Sequence, residues 1–475
     1  MLFNSLTFAV FLPLVFMLYW FVFQKSLVWQ NMLIVVASYL FYGWWDWRFL
    51  SLIALSTLVD FVIGNRLQRC RIKQVRRLLL FTSLAVNLGL LGFFKYYNFF
   101  VDSWLDVWSA LGVHFEPSTL QVILPVGISF YTFQTLSYTI DVYKGRTKSS
   151  RNLIEFAAYV AFFPQLVAGP IERAKHLLPQ FETKRIFQAD FAIRGFNLII
   201  WGLFKKMVVA DNCAFFVNRI FDNPEGHNSM TLFVGAVLFS LQIYGDFSGY
   251  TDIAIGTARL FGFDLKANFK FPYFSRNVAE FWRRWHISLS SWFKDYLYIP
   301  MGGSQVSTMK TIRNVFVVFL VSGLWHGANW TFVVWGAIHA VLFLPLLLVK
   351  RNRLFLLETR FSLNQVVQVL FTFCLVSLTW VVFRASSIGV AWDYWKRIFE
   401  FTGSSLSFFM GNSKMILFSV IIVVSAFVLF LFEILAVRKR HSEVILTPIK
   451  SVLIGLMIVF MGVFKNPETF IYFQF

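Results

Sequence analysis

Between residues 315 and 349 the chain reads VFVVFLVSGLWHGANWTFVVWGAIHAVLFLPLLLV. Two apolar runs, 315–324 and 331–349, flank a break that holds His326, Gly327 and Asn329. Such runs suit helices that cross a bilayer, for which about 20 apolar residues are needed. An ionisable side chain at that depth is costly to keep and is by default a candidate for function. A neutral imidazole there keeps a lone pair with which to act as a base, Gly327 and Asn329 interrupt the helix beside it, and Trp325 and Trp330 wall it with aromatic surface. The bland alternative is a histidine that only bonds a neighbouring helix.

Composition carries the same message along the whole chain. Of 475 residues, 58% are hydrophobic, 20% aromatic and only 14% charged, and the mean hydropathy is +0.65. Soluble domains are about a quarter charged. The expectation is therefore an all-α, polytopic integral membrane protein with no separate soluble module. The net charge of +19 is read as loop orientation and attraction to lipid headgroups, not as a nucleic-acid surface. Cys70, Cys213 and Cys374 are far apart and show neither a disulfide framework nor ligand spacing for a metal. No Walker loop, GxGxxG, HExxH or CxxC motif is present.

Taken in order, runs at 6–23, 29–43, 49–63 and 78–94 read as the first spans, the N-terminal one being retained as a membrane helix and not a cleaved signal. RLQRCRIKQVRR, residues 66–77, holds six basic residues and no acid, so it is expected to be cytoplasmic, with the N-terminus outside. Between Tyr96 and Tyr143 there is no Lys or Arg, and Asp102, Asp106 and Glu116 are present, which suggests an extracytoplasmic loop. In AFFPQLVAGPIERAKHLLPQF, residues 161–181, Pro164, Gly169, Pro170 and Pro179 forbid one continuous helix and suggest a re-entrant or interfacial segment. Spans are expected at 191–216, 230–245, 366–383, 417–435 and 452–464, with the basic stretches KRNR (350–353) and RKRH (438–441) inside and the C-terminus outside. The total comes to roughly 10 to 12 crossings.

The polar islands carry the candidates. FWRRWHISLSSWFKDYLYIPMGG, residues 281–303, lies in an amphipathic, basic and aromatic stretch, 251–313, suited to the membrane interface. Asn277 and Glu280 suggest a capped helix start, from which one helix would carry Trp282, His286 and Ser290 along a single face. By spacing alone His286 could equally face lipid headgroups. YGDFSGYTD, residues 244–252, places Asp246, Ser248, Tyr250 and Asp252 near the end of a span, to orient a histidine, contact an acceptor or pair with basic residues such as Arg259. Gln134, in PVGISFYTFQTLSY, suits either a polar channel or helix-to-helix contact, and His339 reads as a packing histidine.

Several stretches together, SYLFYGWWDW, LPVGISFYTFQTLSYTIDVYKG, FFPQLVAGPIERA, YGDFSGYTDIAIGTARLFGF, FWRRWHISLSSWFKDYLYIPMGGS, LWHGANWTFVVWGAIHA, WVVFRA and the final FIYFQF, closely resemble the membrane-bound O-acyltransferase family, in its bacterial alginate O-acetyltransferase branch. The resemblance runs over essentially the whole chain. It implies a single membrane domain over 1–475, with N-terminal spans in 1–143, a catalytic core with re-entrant and interfacial segments in 144–349, and C-terminal spans in 350–475. It implies a ring of helices around a central funnel in the bacterial inner membrane. The family's essential histidine matches His326 and its second, more variable position matches His286. On this reading His326 is a general base and His286 binds or polarises the acyl carbonyl, in a tunnel lined by Asp246, Ser248, Tyr250, Asp252, Trp325, Asn329, Trp330 and Gln134.

The resemblance further implies a cytoplasmic acyl donor, acetyl-CoA, no tightly bound cofactor, and transfer of the acetyl group toward an extracytoplasmic polysaccharide such as alginate. The expected partners are an SGNH-type acetyltransferase on the far side of the membrane and polysaccharide synthesis and export proteins. Alternatives are D-alanyl transfer from a carrier protein to teichoic acid, or a transporter of lipid-linked sugar. The absence of an inverted repeat speaks against the transporter.

Overall fold

Helices begin where the sequence supplies an acceptor for their unpaired first-turn amides. In the computed structural model of the chain, which describes residues 1–115, 120, 122–167, 169–355, 363–465 and 468–471, Ser5, Ser26, Asn152, Asn277, Asn329, Ser387 and Asn412 each accept such a bond. The described residues form helices and no strand. Among them, six stretches are long and apolar enough to cross a membrane: Leu27–Arg69, Lys73–Ala110, Ser229–Leu260, Trp330–Leu348, Asn364–Arg384 and Ser413–Arg438. Shorter apolar helices include Leu6–Val22 and Pro448–Met461. The chain is a multi-pass, all-α membrane protein.

It gathers into two units, Met1–Gly195 with Thr257–Lys266, and Phe196–Gly256 with Ala267–Phe475. The first holds α1 (Leu6–Met17), α2 (Leu27–Asp46), α3 (Leu50–Arg69), α4 (Lys73–Leu91), α5 (Tyr97–Ala110), α6 (Ile128–Tyr143), α7 (Leu153–Val160), α8 (Phe163–Leu166) and α9 (Ala174–Glu182). Pro164 and Pro170 fall where helix is broken into these short pieces, as expected from their missing N–H groups, and Pro179 is carried inside α9. The stretch 96–143 departs from the loop reading: it contains α5 and the almost wholly buried α6. Glu116 lies outside the described residues. Lack of basic residues indicated a side of the membrane but said nothing about helicity, and α6 is buried on nearly all faces with polar side chains such as Gln134 and Thr139 hydrogen-bonded.

Polar groups in this unit are matched in place. Asp60 on α3 is fully buried and accepts from Ser83 Oγ (2.5 Å), Asn87 Nδ2 (2.8 Å) and Thr139 Oγ1 (2.9 Å), so three helices are tied by one carboxylate. On α9, His176 Nδ1 lies 2.9 Å from Glu172, whose other oxygen accepts from Lys266 N (2.6 Å).

The second unit holds the later part of α10 (Ala189–Leu203), a wide turn over Phe204–Ala210 leading to α11 (Asp211–Asp222), and most of α12 (Ser229–Leu260). Then come the short α13 (Val278–Arg284) and α14 (Ile287–Phe293), the pair α15 (Thr308–His326) and α16 (Trp330–Leu348), then α17 (Leu363–Arg384), α18 (Ile388–Phe399), α19 (Ser413–Arg438) and α20 (Pro448–Met461). At 32 residues, α12 is about 48 Å long. It therefore runs past the expected span end at 245 and carries YGDFSGYTD inside one helix. The close approach of α15 and α16 depends on missing side chains. A Cβ at Gly323 would sit 2.2 Å from Phe332 O, and one at Gly336 would sit 2.3 Å from Phe319 O.

Two outcomes follow. Gly336→Ala is expected to separate α15 from α16 at a cost of about 1–3 kcal/mol, seen as a lower apparent Tm in detergent. Gly89→Ala, where a Cβ meets nothing within 4 Å, is expected to be neutral or stabilising; equal losses in the two variants would contradict the packing argument. The second outcome concerns pH. The Glu172 hydrogen bond raises the His176 imidazole above its ordinary 6.5, and α9 lies outside the candidate spans. A raised folded value means the contact stabilises fully below the unfolded pKa and is lost as pH climbs through the folded one. The Tm gap between wild type and His176→Gln should thus be largest near pH ~5.5–6 and close by pH ~9; a gap that widens with pH would refute it.

Candidate functional site

His326 is the last residue of α15, and Asn329, accepting from Thr331 N (2.9 Å), starts α16 three residues on. Helix therefore stops at the break read from the sequence. The ring is 2% exposed and is enclosed by Trp325 (centroids 5.1 Å), Trp335 (5.2 Å) and Phe383 (5.5 Å).

His286 arrives by a different local device. Asn277 Oδ1 accepts from Glu280 N (2.8 Å) and starts α13, as its spacing suggests. Glu280, buried, then holds Arg276 (2.9 Å) and Arg284 (2.6 Å). The single helix expected to carry Trp282, His286 and Ser290 on one face is not formed. α13 stops at Arg284, and His286 takes a left-handed backbone (φ 44°, ψ 53°) from which α14 starts afresh. A non-glycine residue there is strained and is held by its surroundings. Ile287 N donates to Asn268 O (2.9 Å), and Asn268 Oδ1 accepts from Ser288 N (3.1 Å) and Ser288 Oγ (2.8 Å) and lies 3.2 Å from His286 Nδ1.

The turn aims His286 inward instead of toward headgroups. Its side chain has no exposed surface and packs on Phe247 (4.7 Å), Trp325 (5.6 Å) and the His326 ring (6.3 Å). Outside the candidate spans, between two short helices, its imidazole is pushed down to about 3 by burial. Two buried imidazoles thus lie close together among aromatic side chains. His339 differs: Trp282 Nε1, a donor only, gives to its Nδ1 (3.2 Å), and its Nε2 meets Thr379 Oγ1 (3.1 Å), whose own proton goes to Val376 O (2.7 Å). With both nitrogens occupied it is a packing residue, as its place in the sequence suggests.

The carboxylates of α12 are engaged by lysines of the wide turn. Lys205 Nζ contacts Asp252 (2.5 Å) and donates to Ser248 Oγ (2.9 Å). Lys206 Nζ reaches Asp211 and Asp246 (2.8 Å each) and Glu468 O (2.9 Å). Asp246 also accepts from Ile471 N (2.6 Å), and Tyr250 lies against Phe470 (4.4 Å). Asn329 Nδ2 donates to Ser386 O (3.1 Å), while Trp330 is 52% exposed. Gln134 belongs to the first unit, where Nε2 donates to Tyr159 O (2.6 Å) and Oε1 accepts from Gln165 (3.2 Å).

Asn268, Trp335, Phe383 and the lysine pair were not singled out from the sequence. Lys205–Lys206 within an otherwise apolar run was a readable signal, since charge at membrane depth must be matched; Asn268 gave none. One further feature lies a helical turn from each histidine. A cavity of about 230 Å³ runs between Ser290 and Ser322, each four residues along a helix from His286 and His326 respectively, past Trp282 and Phe319, to Lys294 and Arg353.

Residues 148–388 match the model of the membrane-bound O-acyltransferase family. The chain is 43% identical to a Pseudomonas putida protein named "Probable alginate O-acetylase AlgI", over 86% of this chain and 82% of that protein. It is 35% identical to the peptidoglycan O-acetyltransferase of Helicobacter pylori, over 86% and 81%. Against the teichoic acid D-alanyltransferase of Bacillus subtilis it is 30% identical, over 48% and 60%. The extent of these matches, together with the multi-pass helical fold, makes the chain a member of the membrane-bound O-acyltransferase family and an O-acyltransferase.

Proposed function

We propose that the protein transfers an acetyl group from acetyl-CoA at the cytoplasmic face of the bacterial inner membrane toward O-acetylation of an extracytoplasmic polysaccharide, alginate or one similar to it. The observation that carries this reading is the pair of buried imidazoles 6.3 Å apart. The names of its relatives supply the acetyl group and the polysaccharide. The basic loops support a cytoplasmic position for Arg353 and its neighbours, with both termini on the opposite side. The cavity from Arg353 and Lys294 to Ser290 and Ser322 suits a donor with phosphate at one end and an amide-bearing arm, since cations serve the phosphate and hydroxyls the amides amid apolar wall. On the far side the acetyl group passes to an SGNH-type acetyltransferase working with polysaccharide synthesis and export proteins.

The chemistry follows from what a thioester needs. A hydroxyl oxygen attacks the carbonyl carbon while the His326 imidazole, as general base, takes its proton. The tetrahedral intermediate then expels the thiolate, which recovers that proton, leaving ester and thiol. The second imidazole serves the same reaction volume. Aromatic, buried surroundings keep water from competing for the acyl group.

Thiol release from acetyl-CoA by the purified full chain tests this. His326→Ala is expected to lower turnover about 10²- to 10⁴-fold with fold and monodispersity kept; near-wild-type turnover would refute the assignment. Lys294→Ala with Arg353→Ala is expected to raise KM for acetyl-CoA about fivefold or more with kcat little changed, each surface cation being worth up to ~1 kcal/mol. An unchanged KM would remove the cavity from the donor path.

A further inference from the structure

α16 does not run out into a free loop. Lys350 takes a left-handed backbone (φ 56°), and Arg351 N and Asn352 N both donate to Leu346 O (2.7 and 2.9 Å). The chain so turned back is gripped from α13. Arg283 Nη1 donates to Asn352 O (2.5 Å) and Nη2 to Leu354 O (2.8 Å), and the Arg276 guanidinium lies 3.8 Å from the centre of the Phe355 ring. Among the described residues no backbone amide gives to either carbonyl, so the Arg283 fork is the polar tie that holds this strap. Its neighbour Arg284 goes to Glu280 instead (2.6 Å).

The strap borders the cavity of about 230 Å³. Asn352 and Arg353 line it, and Trp282, the residue before Arg283, lines it from α13. Pockets that enclose a whole small ligand run to about 300–1,000 Å³. This cavity therefore takes the arm of a thioester donor and leaves the phosphates outside, where the strap carries the exposed Lys350, Arg351 and Arg353.

Resting on that cavity as the donor path, we infer that Arg283 is a positioning residue: it straps residues 352–354 to α13 and thereby holds Arg353 at the cavity for a donor phosphate. Both Nη atoms of Arg283 are spent on main-chain carbonyls, so it acts through the strap and not on the donor. A strap fixed beforehand spares the donor the cost of ordering that backbone on arrival. Carbonyl acceptors suit the task, because a carboxylate in their place would compete with the phosphate for Arg353.

Two measurements on the purified full chain test this. Trypsin cuts after exposed basic residues once the backbone around them opens, so Arg283→Ala should be cut after Arg351 and Arg353 at least about fivefold faster than wild type, with the sites read by mass spectrometry. In thiol release from acetyl-CoA the same variant should raise KM about threefold or more with kcat within about twofold. A wild-type cutting rate, or a fall in kcat at unchanged KM, overturns the inference. A merely structural Arg283 is told apart in the Arg353→Ala background. With that cation gone, adding Arg283→Ala should raise KM no further than about twofold, whereas effects that multiply overturn the inference. Arg283→Lys keeps charge and stem without the fork; it should move both readouts in the same direction by less, and wild-type values for it overturn the inference even if Arg283→Ala does not fold. Lys294→Ala with Arg353→Ala separates the two levels. If that pair leaves KM unchanged, the donor path itself fails; if the pair raises KM while Arg283→Ala does not, only the strap falls.

Discussion

Backbone meets backbone where α15 crosses α16, with Gly323 under Phe332 O and Gly336 under Phe319 O. In lipid, where apolar side chains gain little by leaving one apolar medium for another, such close approach is the main source of helix association. Gly323 lies within one turn of His326, the last residue of α15. The close approach also brings α16 side chains across to that ring: Trp335 is packed on both His326 (5.2 Å) and His339 (4.8 Å). His339 in turn receives the indole N–H of Trp282 from α13. α13 ends two residues before His286, so one line of packing runs from the glycine contact through His339 to the turn that presents the second imidazole.

A second constraint comes from charge. Lys205 and Lys206, each under 4% exposed, would be very costly unmatched in a dry interior. Asp211, Asp246 and Asp252 match them, and the chain end closes the arrangement with Glu468 O on Lys206 and Ile471 N on Asp246. Phe470 then covers Tyr250 (4.4 Å) and Phe247 (5.9 Å), and Phe247 packs on His286 (4.7 Å). The carboxylates of α12 thus act on the site through packing and not through contact with either ring among the described bonds. An island of acids and hydroxyls in an apolar run signals necessity, and here the necessity is two neighbouring lysines.

What the sequence made legible follows from how local each cause is. His326 could be read because its setting is sequential: two long apolar runs with Gly327 and Asn329 between them. Helix starts at Asn277 and Asn329 were legible for the same reason, since a cap acts within three residues. The stop at Arg284 was not. Four-residue spacing of Trp282, His286 and Ser290 argued for one helix, and contacts with Asn268, on another segment, accompany φ 44° at His286 against that local preference. α6 was legible only in part: its amide and hydroxyls suggested helix-to-helix contact, while the charge-free stretch around it names a side of the membrane and not a conformation. The partners of Asp246 and Asp252 were missed because register between α12 and the wide turn at 204–210 is a tertiary property.

The proposed transfer from a thioester is compatible with a site closed to water. Moving an acyl group from sulfur to oxygen consumes no net proton: the hydrogen lost by the hydroxyl is the one the thiolate gains. No path to bulk water is needed, only a base that stays neutral until the hydroxyl arrives. Burial supplies neutrality, and aromatic walls supply burial without adding groups that could compete for the proton. What burial cannot supply is the choice of which nitrogen carries hydrogen. A carboxylate behind His286 would make that choice but would also stabilise the charged ring in the resting state. At His286 the neighbour is an uncharged amide, Asn268 Oδ1 lying 3.2 Å from Nδ1 beside the left-handed turn.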